Sequence, residues 1–407
     1  MAVGTRVEAV AATRVESLDV MRGVVMVLMA LDHVRVYSGV PAGGPSPGVF
    51  FTRWVTHFCA PAFVFFAGTS AFLHGRSWRP ALAGPQVRLK ADSTPVLQQS
   101  LERYLLTRGL LLVLLELTLI RVAWTFNLDF ANYILAGVIW MIGWCLILLA
   151  LMVRLPIGVV ATIGAAIVAG HNLADSRLQQ LIPAAQASSV FWLWRILYFG
   201  PTAGGDGPFV VLYSLIPWIG VMALGYAFGA VMTLEPARRR RICAWLGLAA
   251  TAAFVALRAA RLYGEPRPWN GASALGFLNT TKYPASLQFL LMTLGPTIAL
   301  LPLAERARGT LTNALAVFGR VPLFYYLLHI PVIHAAALVV SVVREGRVNP
   351  WLFANHPMMN PPLPPGYMWS LPLLYLVFAI VIALLFLPCW WYANARLRHR
   401  HAWMRYL

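Results

Sequence analysis

Along this chain, apolar runs of about 20 residues alternate with shorter polar stretches. A helix that crosses a bilayer needs about 20 mostly apolar residues. Candidate runs lie at residues 17–37, 54–74, 104–124, 130–153, 156–170, 208–234, 242–262, 284–304, 321–343 and 369–392. The pattern predicts an all-α, polytopic membrane helix bundle of about ten transmembrane helices, of which the fifth is the shortest. The piece at 190–198 is too short to cross and fits a helix lying in the interface, with Trp192 and Trp194 as aromatic anchors. Between the runs, 39–48 is rich in Gly, Pro and Ser, and 349–367 is rich in Pro. The stretches 172–207 and 264–283 are long and polar enough to cap a cavity. No internal repeat of the kind that builds many transporters is visible.

Composition supports this reading. Of 407 residues, 59% are hydrophobic and 11% charged, with a mean hydropathy of +0.69. An ordinary soluble domain carries roughly a quarter charged residues, so this chain could not cover the surface of a soluble fold, and it is far too apolar for disorder. The formal net charge of +18 reads as topology rather than nucleic-acid binding, because basic residues are retained on the cytoplasmic side. With a cytoplasmic N-terminus and ten spans, most basic residues fall inside, including the arginines 238–241 and those of the C-terminal tail. Both termini are therefore expected in the cytoplasm, around a single integral-membrane domain over residues 1–407. Residues 1–16 form a cytoplasmic segment and 393–407 a basic cytoplasmic tail. No small-residue cleavage site follows the first apolar run, so that run is expected to remain as a span. Cys59, Cys145, Cys243 and Cys389 have no metal-type spacing and read as buried apolar residues; neither a disulfide nor a metal site is expected.

An ionisable side chain at the bilayer centre costs roughly 2.5–3.5 kcal/mol even on the lenient scale, so polar residues inside apolar runs are informative. In the first span, Asp19 and Arg22 are i and i+3, share a face and can pair. Asp32 and His33 follow at the far end of the run, with Arg35 beyond. At 1.5 Å per residue, Arg22 and His33 stand about 16 Å apart along the axis. Either Asp32 and His33 mark the interfacial end of a helix, or His33 is a general base, since imidazole titrates near neutrality and a neighbouring carboxylate raises its basicity. Adjacent helix residues diverge by about 100°, which weakens Asp32 as the direct orienter of His33. Glu116 sits mid-span three with Arg121 beyond it; five residues apart, each is expected to pair with another helix. His171 ends span five, and His329 and His334 lie in span nine.

The pattern Ser17-Leu-Asp19-x-x-Arg22-Gly23, followed by an apolar run to His33, resembles the first helix of transmembrane acyltransferases. In the acyltransferase-3 branch, a Leu-Asp-x-x-Arg-Gly motif precedes a functional His. The stretch Phe318-Gly-Arg-Val-Pro-Leu-Phe-Tyr-Tyr-Leu-Leu-His329-Ile-Pro331 also resembles a late helix of that branch. A closer resemblance is to the heparan-alpha-glucosaminide N-acetyltransferase catalytic-domain group, bacterial-type members included. It is carried by residues 17–23, by Pro61-Ala-Phe-Val-Phe-Phe-Ala-Gly-Thr-Ser70 and by Asn279-Thr-Thr-Lys282-Tyr-Pro284. One departure stands out. The lysosomal enzymes of the group place an essential His in the outer loop after the first span, and Asn at the position that His33 occupies in this chain. The loop 39–50 of this chain has no His. His57, near the outer start of span two, is therefore the alternative base.

The resemblance implies transfer of an acyl group, acetyl above all, from cytosolic acyl-CoA to a carbohydrate or glycolipid acceptor on the other face, in a bacterial inner (plasma) membrane. Acyl-CoA is a co-substrate, and no bound cofactor is expected. On this reading His33 with Asp32 carries the catalysis. Arg22, Arg103, Arg108 and Arg320 approach the CoA phosphates, which Arg binds bidentately. Lys282, Asn279 and His171 face the acceptor or an oxyanion. Asp19, Glu116, Arg121 and His329 are structural polar residues. Membrane lipid is the surrounding partner, no nucleic acid is expected, and a homodimer is left open. The rival is a proton-coupled secondary transporter relaying protons through Asp32, His33 and Glu116.

Overall fold

The computed structural model describes residues 16–44, 46–82, 94–174, 180, 182, 186, 188–203, 207–359 and 361–398; among these, the side chains of 77–82, 94–99, 174, 202 and 203 are not described. The N-terminal segment through residue 15, most of the loop after the second span and the tail beyond Arg398 lie outside the described residues.

The chain is a bundle of helices: α1 (Glu16–Ser38), α2 (Cys59–Leu82), α3 (Thr94–Leu115), α4 (Val138–Met152), α5 (Ile157–Gly170), α6 (Ile216–Phe228), α7 (Pro236–Ala259), α8 (Leu287–Ala299), α9 (Thr310–Arg320), α10 (Pro322–Glu345) and α11 (Leu371–Arg398). Six segments are long and apolar enough to cross a membrane by length and composition: Pro47–Arg76, Ile216–Thr233, Pro236–Ala259, Leu287–Arg306, Pro322–Glu345 and Leu371–Arg398. The other four runs also form helix. However, α1 and α3 carry charges, and α4 and α5 are short.

The two ends of the bundle differ. At the base, the end of α9 meets the end of α11, where Arg396 Nη1 donates to Arg320 O at 3.2 Å. At the opposite end, the crown, Tyr367 Oη donates to Tyr37 O at 2.8 Å and Trp369 N to Ser38 O at 2.9 Å.

Small residues set the helix crossings. With no hydrophobic drive between helices in lipid, close backbone approach supplies the packing. A Cβ on Gly23 would collide with the Leu315 carbonyl, and one on Gly319 with the Asp19 carbonyl, so α1 and α9 cross in direct backbone contact. Gly68 and Gly225 do the same for α2 and α6, and Thr69 Oγ1 ties that crossing by donating to Gly225 O at 2.9 Å. The α6 segment is mostly buried. In contrast, α7 and α11 present Trp245, Leu248, Leu384 and Trp390 outward, as lipid-facing helices do.

The expected fourth span at 130–153 is corrected. Its first third is a turn and the strand β1 (Ile134–Ala136), which pairs in parallel with β2 (Phe209–Val211), Leu135 opposite Val210. The helix begins only at Val138, because the Glu116 carboxylate takes the first free amides there. Span three is interrupted too: a π turn at Glu116–Ile120 separates α3 from the short helix Arg121–Thr125.

Gly23→Ala should destabilise the protein by about 1–3 kcal/mol, the cost of forcing a methyl group into a packed crossing. Gly158→Ala, with open space around its Cα, should not. Unfolding in detergent, followed by circular dichroism, reads the difference.

Candidate functional site

The two motifs that open the chain's resemblance meet in space. Arg22 reaches from α1 to α2, donating to Ser70 Oγ and to Phe66 O, and its Nη1 lies 3.4 Å from Asp19 Oδ1. These residues stand in a cavity of about 1270 Å³ that opens at the base. Its walls carry Arg22, Arg76, Arg108, Arg239, Arg308, Arg320 and Arg396 against the acids Glu16, Asp19 and Glu305. Some of these arginines are engaged: Arg239 forks onto Glu305 at 2.9 and 3.1 Å. Arg320 Nε has no hydrogen-bond partner among the described residues. The upper walls are apolar and include Met26, Met29, Phe63, Ile139 and Tyr326. The space is larger than a typical drug-sized pocket of roughly 300–1,000 Å³, cationic at its mouth and apolar at its far end.

That far end stops one helical turn short of an imidazole pair. Met29 is four residues before His33, about 6 Å along α1, and the Tyr326 ring lies edge-on to His329 at 5.0 Å. His33 Nδ1 and His329 Nε2 are 2.7 Å apart. His329 Nδ1 lies 2.7 Å from Tyr326 O and 3.2 Å from Tyr325 O. A carbonyl only accepts, so this nitrogen carries the proton of the neutral ring. His329 Nε2 is then an acceptor, His33 Nδ1–H donates to it, and the lone pair of His33 sits on Nε2. The backbone of α10 thereby sets the tautomer of a residue on α1. Trp124 closes the other side, edge-on to His33 at 4.7 Å.

Beside the pair, on the same turn of α1, lies a second charged cluster. Asp32 Oδ1 accepts from Arg35 Nε and Asp32 Oδ2 from Arg53 Nη1, both at 3.0 Å. This corrects the pairing of Asp32 with His33: both carboxylate oxygens are turned to arginines, and the group next to the His33 ring is His329. Lys282, 8% exposed, comes from the loop before α8, its Nζ 5.2 Å from the Tyr283 ring centroid and 5.8 Å from that of Tyr213. Burial and the neighbouring Arg53 draw the Lys282 ammonium below the ordinary lysine range. For Tyr283, burial pushes the other way, but Lys282 and Arg53 outweigh it and hold the phenol below its usual value. Glu265 fixes this loop, accepting from Thr281 N at 3.0 Å and Ser286 Oγ at 2.9 Å.

Other sequence candidates fall elsewhere. Arg103 is exposed and off the cavity wall. Asn279 is exposed, and its carbonyl accepts from Arg258 Nη2 at 2.8 Å. His171 staples α5 to the Lys282 loop, with Nε2 2.8 Å from Ala285 O and Nδ1 3.0 Å from Ile167 O, so its ring atoms are turned to backbone. His57 is buried beside Phe289, and its Nδ1 has no hydrogen-bond partner among the described residues. Arg121 is fully buried, donating to Tyr133 O at 2.9 Å and to Asn127 O, over the face of Phe130. Glu116 Oε2 accepts from the amides of Ile139 and Trp140 at 2.9 and 3.2 Å, capping α4 from another helix. With Asp32 locked between arginines and Glu116 spent on a cap, two of the three groups of a proton relay are already engaged. Among the described residues, no three of His, Cys, Asp and Glu converge to hold a metal.

Arg53 and Tyr213 carry no signal in the sequence that marks them for a site, and Tyr283 enters only as part of the Asn279–Pro284 stretch. Arg53 stands just before an apolar run, where an arginine ordinarily marks the membrane boundary, and the two tyrosines look like interfacial aromatics. His329 reads in sequence as a structural residue, and its contact with His33 bridges 296 positions of sequence.

If Glu116 serves as a helix cap, Glu116→Ala should cost about 0.5–2 kcal/mol of stability, while Glu116→Gln, which keeps an oxygen acceptor, should cost less. Detergent melts of the two variants check this.

No curated protein matches the chain. The family model for the catalytic domain of heparan-alpha-glucosaminide N-acetyltransferase matches residues 14–263, more than half of its length. The matched region holds both opening motifs, His33, Arg53 and Arg108, and ends before Lys282 and His329. A family model that covers more than half of the chain, including the helix that carries His33 and the first two motifs, places the protein in that group: the chain belongs to the heparan-alpha-glucosaminide N-acetyltransferase catalytic-domain family.

Proposed function

We propose that this protein is an integral-membrane acyltransferase that moves an acetyl group from acetyl-CoA, entering at the base, to an amine or hydroxyl of a sugar or glycolipid acceptor arriving from the crown. The observation that carries the reading is the course of the base cavity, from an arginine-lined mouth to within one helical turn of the His33–His329 pair. Family membership supports the chemistry. On this reading the chain crosses the bilayer ten times, with the arginine-rich base and both termini in the cytosol. The density of arginine at 238–241, 306, 308, 396 and 398 supports that orientation, and a bacterial inner membrane is the setting that fits it.

The donor's phosphates sit against Arg22, Arg108 and Arg320, where charge-assisted contacts are strong. The pantetheine arm lies along Met26, Met29 and Tyr326, which brings the thioester up to the imidazoles. The acceptor nitrogen or oxygen attacks the thioester carbonyl, the C–S bond breaks and CoA leaves as thiolate. His33 Nε2 takes the proton that the acceptor loses and returns it to the thiolate. His329 orients the ring of His33 and holds its tautomer, in the place that a triad gives to a carboxylate. Asp32 does not take part in proton transfer; it neutralises Arg35 and Arg53.

Removing a general base typically costs 10²–10⁴-fold. With purified protein, labelled acetyl-CoA and a glucosaminide acceptor, His33→Ala and His33→Asn should each lose turnover to that extent while still binding acetyl-CoA. Near-normal rates in both would refute the mechanism. Arg108→Ala should weaken acetyl-CoA binding by about 1.5–3 kcal/mol, and affinity should fall with added salt because the mouth is wet. Calorimetry showing unchanged donor affinity would remove Arg108 from the donor site.

A further inference from the structure

The crown cluster carries more charge than the protein neutralises. Arg35, Arg53 and Lys282 bring three cations into a buried space with one carboxylate, Asp32. Both oxygens of Asp32 are already turned to Arg35 and Arg53. Among the described residues, no carboxylate pairs with Lys282. The nearest acid on its own loop, Glu265, accepts from Thr281 and Ser286. What Lys282 does contact is the Tyr283 phenol, which Arg53 also approaches. A buried cation without a counter-ion is costly, so this excess of fixed cations favours the binding of an anion. His57, nine-tenths buried against the same cluster, leaves Nδ1 without a partner among the described residues. The cluster is not sealed, since the Asp32 side chain keeps 18% of its exposure and His33 is only half-buried.

We propose that Lys282, Arg53 and Tyr283 form an anion-binding site at the crown, taking a carboxylate, phosphate or sulfate, and that this anionic group belongs to the acceptor. Seated there, it neutralises Lys282 and anchors the acceptor beside His33, leaving the acceptor's nucleophile to reach the imidazole. The assignment of the anion to the acceptor rests on the acyltransferase reading; the anion site itself rests on the unbalanced charge.

The site is tested by binding, without turnover. Full-length protein in phosphatidylcholine nanodiscs is titrated at constant ionic strength with D-glucuronate, with inorganic phosphate and with uncharged D-glucose. Thermal melting and hydrogen–deuterium exchange are followed. Wild type should show saturable stabilisation by the two anions and none by glucose, with exchange slowed at 279–288. Lys282→Met should weaken the anions about tenfold or more, the loss of one charge-assisted contact, and Lys282→Arg should largely restore them. Absence of saturable stabilisation in wild type overturns the proposal, as does equal affinity in Lys282→Met. Protection confined to 100–115 and abolished by Arg108→Ala would assign the anion to the donor mouth and also overturn it. The exchange map on wild type locates the anion even if a variant fails to fold. A protein that binds glucuronate at the crown but transfers no acetyl group keeps this site and loses the acyltransferase reading; the converse outcome removes the site and leaves that reading standing.

Discussion

Charge inside an apolar bundle has to be answered by another charge or by a full set of hydrogen bonds, and this constraint organises the first helix. Helix α1 carries Asp19 and Arg22 near the base and Asp32 and Arg35 near the crown. Each pair is spaced i, i+3, so each begins its own neutralisation. Neither pair is complete on α1 alone. Arg22 needs Ser70 and Phe66 O of α2, and Asp32 needs Arg53. The desolvation cost thus pulls the same two parts of the chain together at both ends. The glycine contacts at Gly23 and Gly319 then pin α1 against α9.

Along α1, the large cavity, cationic at its mouth and apolar at its tip, gives way to a buried charged cluster of Asp32, Arg35, Arg53 and Lys282. Next to that cluster, His33 and His329 are a hydrogen-bonded pair, which suits a place where a fixed charge would be expensive. The direction of their hydrogen bonds comes from backbone carbonyls of Tyr325 and Tyr326, groups that cannot themselves titrate. A carboxylate in that position would have needed its own counter-ion. The cost of burying charge and the need for an oriented imidazole are therefore met by one arrangement.

The buried polar groups away from this axis serve construction. Glu116 caps α4, Arg121 gathers the carbonyls of a turn, Glu265 and His171 hold the loop that delivers Lys282, and Arg258 holds Asn279. Each satisfies backbone groups that would otherwise be stranded in an apolar surrounding. In sequence they look the same as the residues of the axis: a single polar letter inside an apolar run.

The sequence by itself determined the helical membrane class, most of the segments that form helix, the pairing of Asp19 with Arg22 and the marking of His33 as exceptional. All of these follow from local spacing and from the cost of polar residues in lipid, which are readable along one dimension. It placed Arg22, Arg108 and Arg320 near one another only through their shared side of the membrane. Tertiary structure decided that these arginines line one cavity while Arg103 does not, that the imidazole partner of His33 is His329 rather than Asp32, and that Arg53 and Tyr283 join Lys282. It also broke the fourth run into a strand and a helix, because Glu116 and β2 offer its backbone other hydrogen-bond partners. The physical reason is common to these cases. A hydrogen bond or ion pair depends on direction to within a few tenths of an ångström, and residues 296 apart acquire that direction only when the helices between them have packed.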